Sequence, residues 1–284
     1  MKTNNLELNI DKYEVAYKLN QHTKELFDNI DEVLDLYNFE IIRTNKIKEY
    51  ENTFDIIIPE YDEKIGIFKK KYATIYYGSN NIFRQHLYLK IENEELYKEN
   101  LGILDYIEDC LGLDFLLNSE IEIAVDTDFN IISRFYRLLK NQKYTPKILN
   151  KYYYDMNEEI SNVLNFSKGT RNNPFKFKSF YIKNKEGGLE LKCYDKLKEI
   201  TDNGNIKQYI KDKLGFNNIF RLEVNVKHKL LKDTLNKIKI TDMDIRYNLL
   251  NKDFISNLYI ELLNRLIMIR YKENNYNFLS ILLN

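Results

Sequence analysis

The segment Glu120–Ile121–Glu122–Ile123–Ala124–Val125–Asp126 alternates polar or small residues with branched apolar ones. Successive side chains of a strand point to opposite faces, so Glu122, Ala124 and Asp126 share one face and Ile121, Ile123 and Val125 the other. Two carboxylates flanking a small residue leave room for a hard divalent cation, Mg²⁺ or Mn²⁺, which takes one or two carboxylates together with phosphate oxygens. The segment Arg221–Leu222–Glu223–Val224–Asn225–Val226–Lys227 repeats the pattern and puts Glu223 and Asn225 on its polar face. His86 alternates with Tyr88 and Lys90 and offers a nitrogen ligand to the same cation. His22 and His228 have no ligating neighbours in sequence and take no role.

Nucleophiles come from a second stretch. Tyr181 and Tyr194 sit on two segments that flank Lys185–Glu186–Gly187–Gly188, a hairpin turn signal. A phenol attacks poorly until its proton is removed or its oxygen is stabilised. A cation polarising the target phosphate meets part of that need. Lys196, two residues after Tyr194, can hold charge that develops on phosphate oxygens. Either tyrosine fits this role.

The elements that must hold these residues follow from periodicity. Residues 21–36 read as an amphipathic helix, 63–78 as strand, and 84–92 as the strand returning after Gly78–Ser79–Asn80–Asn81. Residues 94–111 read as a helix closed by Gly112, 120–126 as strand and 130–140 as helix. The order then recurs: strands over 178–183 and 189–194, a helix over 205–214 closed by Gly215, a strand over 220–226 and a helix over 229–238. The residues recur too. Tyr106–Ile107–Glu108–Asp109–Cys110–Leu111–Gly112–Leu113 matches Tyr209–Ile210–Lys211–Asp212–Lys213–Leu214–Gly215–Phe216 at five of eight positions. The expected fold is α+β: an antiparallel sheet built from two pseudo-repeated ββαβα units over 61–141 and 175–240, with helices on one face. Residues 1–60 read as an acidic lead-in. Residues 241–284 read as mostly helical, with Leu258, Leu262, Leu263, Leu266 and Ile267 forming a stripe for packing or for a dimer face.

The 284 residues carry 43 basic and 43 acidic side chains, a formal charge of zero. That zero hides a split. Residues 1–130 hold about 14 Lys/Arg against 27 Asp/Glu, and residues 131–284 hold about 29 against 16. The basic half interleaves aromatics with Lys168, Arg171, Lys176, Lys178, Lys183 and Lys185. Such a stretch suits nucleic acid, with cations on phosphates and rings on unpaired bases. Two cysteines rule out a disulfide framework and a four-cysteine zinc site, and fit a reducing, cytoplasmic setting. No run of roughly 18 apolar residues exists, so no membrane helix is expected, and residues 1–11 carry no signal-peptide core. A Gly-rich phosphate loop, Gly-x-Ser-x-Gly and the kinase motifs are all missing, which removes nucleotide hydrolysis and serine-hydrolase chemistry.

With these residues in view, Ile121–Glu122–Ile123–Ala124–Val125–Asp126, then Phe180–Tyr181–Ile182, Cys193–Tyr194–Asp195–Lys196–Leu197–Lys198–Glu199 and Phe220–Arg221–Leu222–Glu223–Val224, resemble segments of the rolling-circle replication initiation factors of phages and plasmids. The resemblance covers residues 65–240 and rests on short motifs. It implies a DNA-nicking endonuclease that binds origin DNA, single-stranded or cruciform, and attacks one strand through a tyrosine with Mg²⁺ or Mn²⁺. It leaves a 5′-phosphotyrosyl link and a 3′-hydroxyl. Mapped onto this chain, the catalytic residues are Tyr181, Tyr194 and Lys196, with Glu199 beside them. The metal ligands are Glu122, Asp126, Glu223 and His86. A host helicase and a second copy of the chain are the implied partners. Lys183–Asn184–Lys185 stands where the family carries small residues, and the chain is neutral where the family is basic. Two other readings stay open: a DNA-binding protein of a mobile element without nicking activity, and an oligomer in which the acidic and basic halves meet.

Overall fold

The computed structural model describes residues 5–30, 33–36, 38–44, 49–79, 85–154, 160, 163–164, 179–184 and 187–283. The chain is α+β, and every strand pair with a defined register is antiparallel. It forms two compact units, Asp11–Ile121 and Met1–Ile10 with Glu122–Asn284. Among the described residues no helix is long and apolar enough to cross a membrane.

The strands are β1 (Leu6–Tyr17), β2 (Val33–Leu36), β3 (Phe39–Arg43), β4 (Tyr50–Asp62), β5 (Gly66–Ser79), β6 (Leu87–Ile91), β7 (Phe115–Thr127), β8 (Tyr144–Ile148), β9 (Lys151–Tyr152), β10 (Ser179–Lys183), β11 (Leu189–Asp195), β12 (Phe220–Lys227), β13 (Ile267–Tyr271) and β14 (Asn274–Asn277). In the unit of residues 11–121 the order is β7-β1-β6-β5-β4-β3-β2. Its long β4–β5 hairpin turns on Gly66, whose φ of 79° a side chain would strain. Asp62 Oδ1 accepts from the amides of Lys64 and Ile65 and closes that turn. Phe27, Phe54 and Tyr77 form a buried ring cluster. The Tyr13 hydroxyl donates to buried Asn118 at 2.6 Å, so the phenol is buried with its polar end satisfied.

In the other unit the order is β10-β11-β12-β7, with a second sheet β14-β13-β8-β9. Strict alternation makes one face of the first sheet apolar: Phe180, Ile182, Leu191, Cys193, Leu222, Val224, Ile123 and Val125 are all buried. The helices Ile131–Leu139 and Lys252–Leu266 cover it. Phe135 of the first meets Phe180 and Phe278 with ring centroids at 4.8 Å, and Tyr259 of the second donates to the Leu222 carbonyl at 3.0 Å. Each buried apolar side chain here contributes about 1.5–3 kcal/mol. The opposite face is polar and carries the candidate residues Glu122, Asp126, Tyr181, Tyr194 and Glu223.

The two copies keep their element order. Each has a hairpin (β5–β6, β10–β11), two short helices (Asn93–Tyr97 with Gly102–Leu111, Lys196–Asp202 with Gln208–Leu214), a strand (β7, β12) and a helix (Ile131–Leu139, His228–Ile238). Gly112 and Gly215 both end their helices at positive φ, 58° and 64°. The copies differ in one respect: β12 pairs directly with β11, whereas β1 lies between β6 and β7.

Several expectations change. The helix expected over 21–36 ends at Asp28, and Val33–Leu36 is a strand paired with β3. The helix expected over 94–111 is two helices, separated where Glu99 takes φ 58°. The expected lead-in over 1–60 holds β1 to β4. Where sequence places boundaries near 60 and 240, the compact units divide at 10 and 121. Leu258, Leu262, Leu263, Leu266 and Ile267 are buried within the chain, so this stripe is packing, and Ile267 already begins β13. The turn at residues 80–81 lies outside the described residues.

Candidate active site

Registers across three strands bring the sequence candidates into rows on the polar face. Tyr194 lies opposite Arg221, Lys192 opposite Glu223, and Glu190 opposite Asn225. On the other side Tyr181 lies opposite Lys192 and Lys183 opposite Glu190.

Tyr194 is the centre of the densest group. Its hydroxyl donates to Glu223 Oε2 at 2.9 Å, and Lys196 Nζ donates to the same hydroxyl at 3.4 Å. Glu223 is 4% exposed and Lys196 is fully buried, so both act in a low-dielectric setting where charge interactions are strong. Local sequence places Lys196. Asp195 ends the strand and caps the helix Lys196–Asp202 by accepting from the Lys198 amide at 2.9 Å. That turn sends the Lys196 side chain back to the sheet. Its ammonium also donates to Glu199 Oε2 at 2.7 Å and lies 5.5 Å from the Tyr194 ring centre. Burial works against the charge of Glu199, but Lys196, Lys207 and Arg221 outweigh it and hold the carboxyl below its usual range.

The other side chains of the face form a charge-paired frame. Arg221 grips Asp126 through two bonds of 2.8 Å, and both residues are fully buried. Lys192 Nζ sits 2.8 Å from Glu223 Oε1 and 3.6 Å from Glu122 Oε2. Burial opposes the charge on Lys192, yet the Glu223 hydrogen bond and the fields of Glu223, Glu122 and Glu190 hold its pKa above the usual lysine range. Asn225 Nδ2 donates to Glu122 at 3.2 Å. Tyr181 hydrogen-bonds Glu190; burial first, then that carboxylate, raise its phenol above the ordinary value, while Lys183 and Lys192 work the other way.

The structure thus brings Tyr194, Lys196, Glu199, Glu223 and Glu122 into one neighbourhood. Oxygens of Glu122 and Glu223 approach within 4.8 Å, and two such donors suit a hard divalent cation in place of the Lys192 ammonium. Asp126 shares their face but is engaged by Arg221. His86 lies in the other unit, its ring 6.3 Å from that of Tyr88. Of the basic residues read as DNA contacts, Lys183 pairs with Glu190 at 2.6 Å. Lys168, Arg171, Lys176, Lys178 and Lys185 lie outside the described residues. Sequence reading passed over Arg221, Lys192 and Glu190. Alternation along Leu189–Glu190–Leu191–Lys192–Cys193–Tyr194 was the signal that could have found the last two.

No protein-family model matches the chain, and no curated protein matches it in sequence. Among solved structures, the chain is similar to a rolling circle replication initiator protein from Geobacillus stearothermophilus, with 10% identity and a TM-score of 0.46, over 95% of this chain and 88% of that one.

Proposed function

We propose that this chain is a replication initiator of a plasmid or phage that nicks one strand of origin DNA, with Tyr194 as nucleophile. The observation that carries the reading is the Tyr194 hydroxyl held between Glu223 and buried Lys196. A tyrosine needs a base and a cation at its oxygen to attack phosphorus, and this one has both. Glu223 takes the phenol proton and Lys196 steadies the phenolate. The oxygen–phosphorus bond forms as the bond to the 3′-oxygen breaks. The departing 3′-oxygen takes back the proton from Glu223. The products are a 5′-phosphotyrosyl link and a 3′-hydroxyl. Mg²⁺ or Mn²⁺ bound by Glu122 and Glu223 would polarise the phosphate. Arg221, fixed by Asp126, keeps β12 and its Glu223 in register with Tyr194.

Tyr181 is the weaker candidate, because its cation Lys183 is itself exposed and paired with Glu190. The test is to incubate supercoiled AT-rich plasmid with protein and Mn²⁺, then assay relaxed circles carrying covalently attached protein. The expected result is an adduct on a 5′ end that Tyr194→Phe abolishes and Tyr181→Phe retains. Strongly salt-dependent DNA binding with no adduct under any metal condition would replace nicking with a purely DNA-binding role.

A further inference from the structure

A second polar face belongs to the sheet β14-β13-β8-β9 of the same unit. Ile267 lies opposite Ile148 and Ile269 opposite Pro146, and all four are buried, so one face of this sheet is core. Alternation puts Thr145, Lys147, Met268 and Arg270 on the other face, each partly exposed. Register adds Tyr152, opposite Lys147, and Asn275, opposite Arg270. Segments 144–152 and 267–277 carry four basic side chains, Lys147, Lys151, Arg270 and Lys272, against one acidic, Glu273. Glu273 sits in the turn between β13 and β14 and not on this face.

The backbone fixes the rings of this face. Leu149 and Asn150 take positive φ, 48° and 68°, which makes the β8–β9 connection a tight two-residue turn. That turn sets Tyr152 against Lys147. The Tyr152 hydroxyl exchanges hydrogen bonds with the Asn275 carboxamide at 3.1 Å, so its ring lies across the face from β9 towards β14. Lys147 Nζ is 5.7 Å and Arg270 Cζ 5.4 Å from the centre of that ring. A cation over a ring is favourable with no ligand at all, so packing accounts for Tyr152. It does not account for Tyr154, whose ring is 70% exposed and 6.5 Å from that of Tyr152. Two neighbouring rings, one of them open, beside cations on a sheet face match a platform for unpaired bases.

We propose that this face binds single-stranded DNA, with one base stacked on Tyr154, the next on Tyr152, and the phosphates on Lys147 and Arg270. Every base has a face that stacks on a ring. A guanidinium lying on a ring still has N–H groups at its edge for phosphate oxygens. The choice of an unpaired strand rests on the rings, because paired bases keep their faces in the stack. The choice of DNA over RNA rests on the DNA-acting reading above.

The experiment is fluorescence anisotropy of the full chain with labelled oligo-dT of about 15 nucleotides, beside a DNA duplex and an oligo-rU of the same length. The oligo-dT is expected to bind most tightly. Tyr154→Ala, a change at an exposed residue, should weaken it about tenfold, and Tyr154→Phe, which keeps the ring, should not. Lys147→Gln and Arg270→Gln should each lower the slope of log affinity against log salt by about 0.7. The chain has no Trp, so Tyr154→Trp places a single reporter on the face, and oligo-dT should quench its emission. Unchanged affinity in Tyr154→Ala, no quenching of Tyr154→Trp, or tighter binding of duplex or oligo-rU overturns the proposal. Tyr194→Phe should leave these titrations unchanged. Strand binding that Tyr154→Ala weakens, in a protein that never forms an adduct, removes the nicking reading and leaves this one standing. An adduct together with unchanged binding in Tyr154→Ala does the reverse.

Discussion

Each unit holds a tyrosine whose hydroxyl donates to a glutamate: Tyr194 to Glu223 in one, Tyr76 to Glu14 in the other. Around Tyr76 the neighbours are rings, with Tyr50 at 4.5 Å and Tyr88 at 5.6 Å between centroids. Glu14 also accepts from the Ser119 hydroxyl at 2.7 Å. Burial, then the charge and hydrogen bond of Glu14, push the Tyr76 phenol far above its ordinary range. Tyr194 has the same acceptor type but adds a fully buried ammonium at its oxygen. Tyr181 stands between them, with a glutamate that raises its pKa and two lysines that lower it. A Tyr–Glu pair alone is a packing device. It becomes a candidate nucleophile where a fixed cation can receive the phenolate charge.

The largest expected effect on this contrast is at the nucleophile. Tyr194→Phe should reduce adduct formation by about 10³-fold or more, read by denaturing gels of labelled DNA, while Tyr76→Phe leaves it unchanged. Equal loss in both variants would break the comparison. Glu223→Gln should slow the adduct by about 10²–10⁴-fold, because the amide cannot take the proton. Asp126→Ala leaves Arg221 buried without its carboxylate and should cost about 3–5 kcal/mol in urea denaturation. Tyr76→Phe should cost only about 1–2 kcal/mol, since Glu14 keeps the Ser119 bond.

The smallest effect is the acid limb of stability. The folded pKa of Glu199 is held below its reference value of 4.5, with Lys196 overcoming burial. A carboxyl lowered in the folded state stabilises the fold fully above its unfolded pKa, and that contribution is lost as pH falls through the folded value. Thermal melts should therefore fall below about pH 4.5 less steeply in Glu199→Gln than in wild type.

Legibility differed between fold and site. The hairpins, the glycine-terminated helices and the strands β7 and β12 were readable, because alternation and helix caps are local properties of the chain. Residues 33–36 misled, since Val33 and Leu34 continue a helical apolar spacing from Leu26 and Ile30, and only pairing with β3 makes them a strand. The strand β1 escaped because its partner β6 lies far along the chain, and β3 and β4 because their polar positions are numerous.

At the site, sequence by itself determined the face. Side-chain alternation, a period of two, put Glu122 with Asp126 and Glu223 with Asn225 before any contact was known. Tertiary structure decided who pairs with whom. Strand order set Arg221 beside Asp126, register set Lys192 across from Glu223, and the turn at Asp195 brought Lys196 back to Tyr194. Buried charges must find their counterions, and which counterion each finds depends on strand order, which no local pattern encodes.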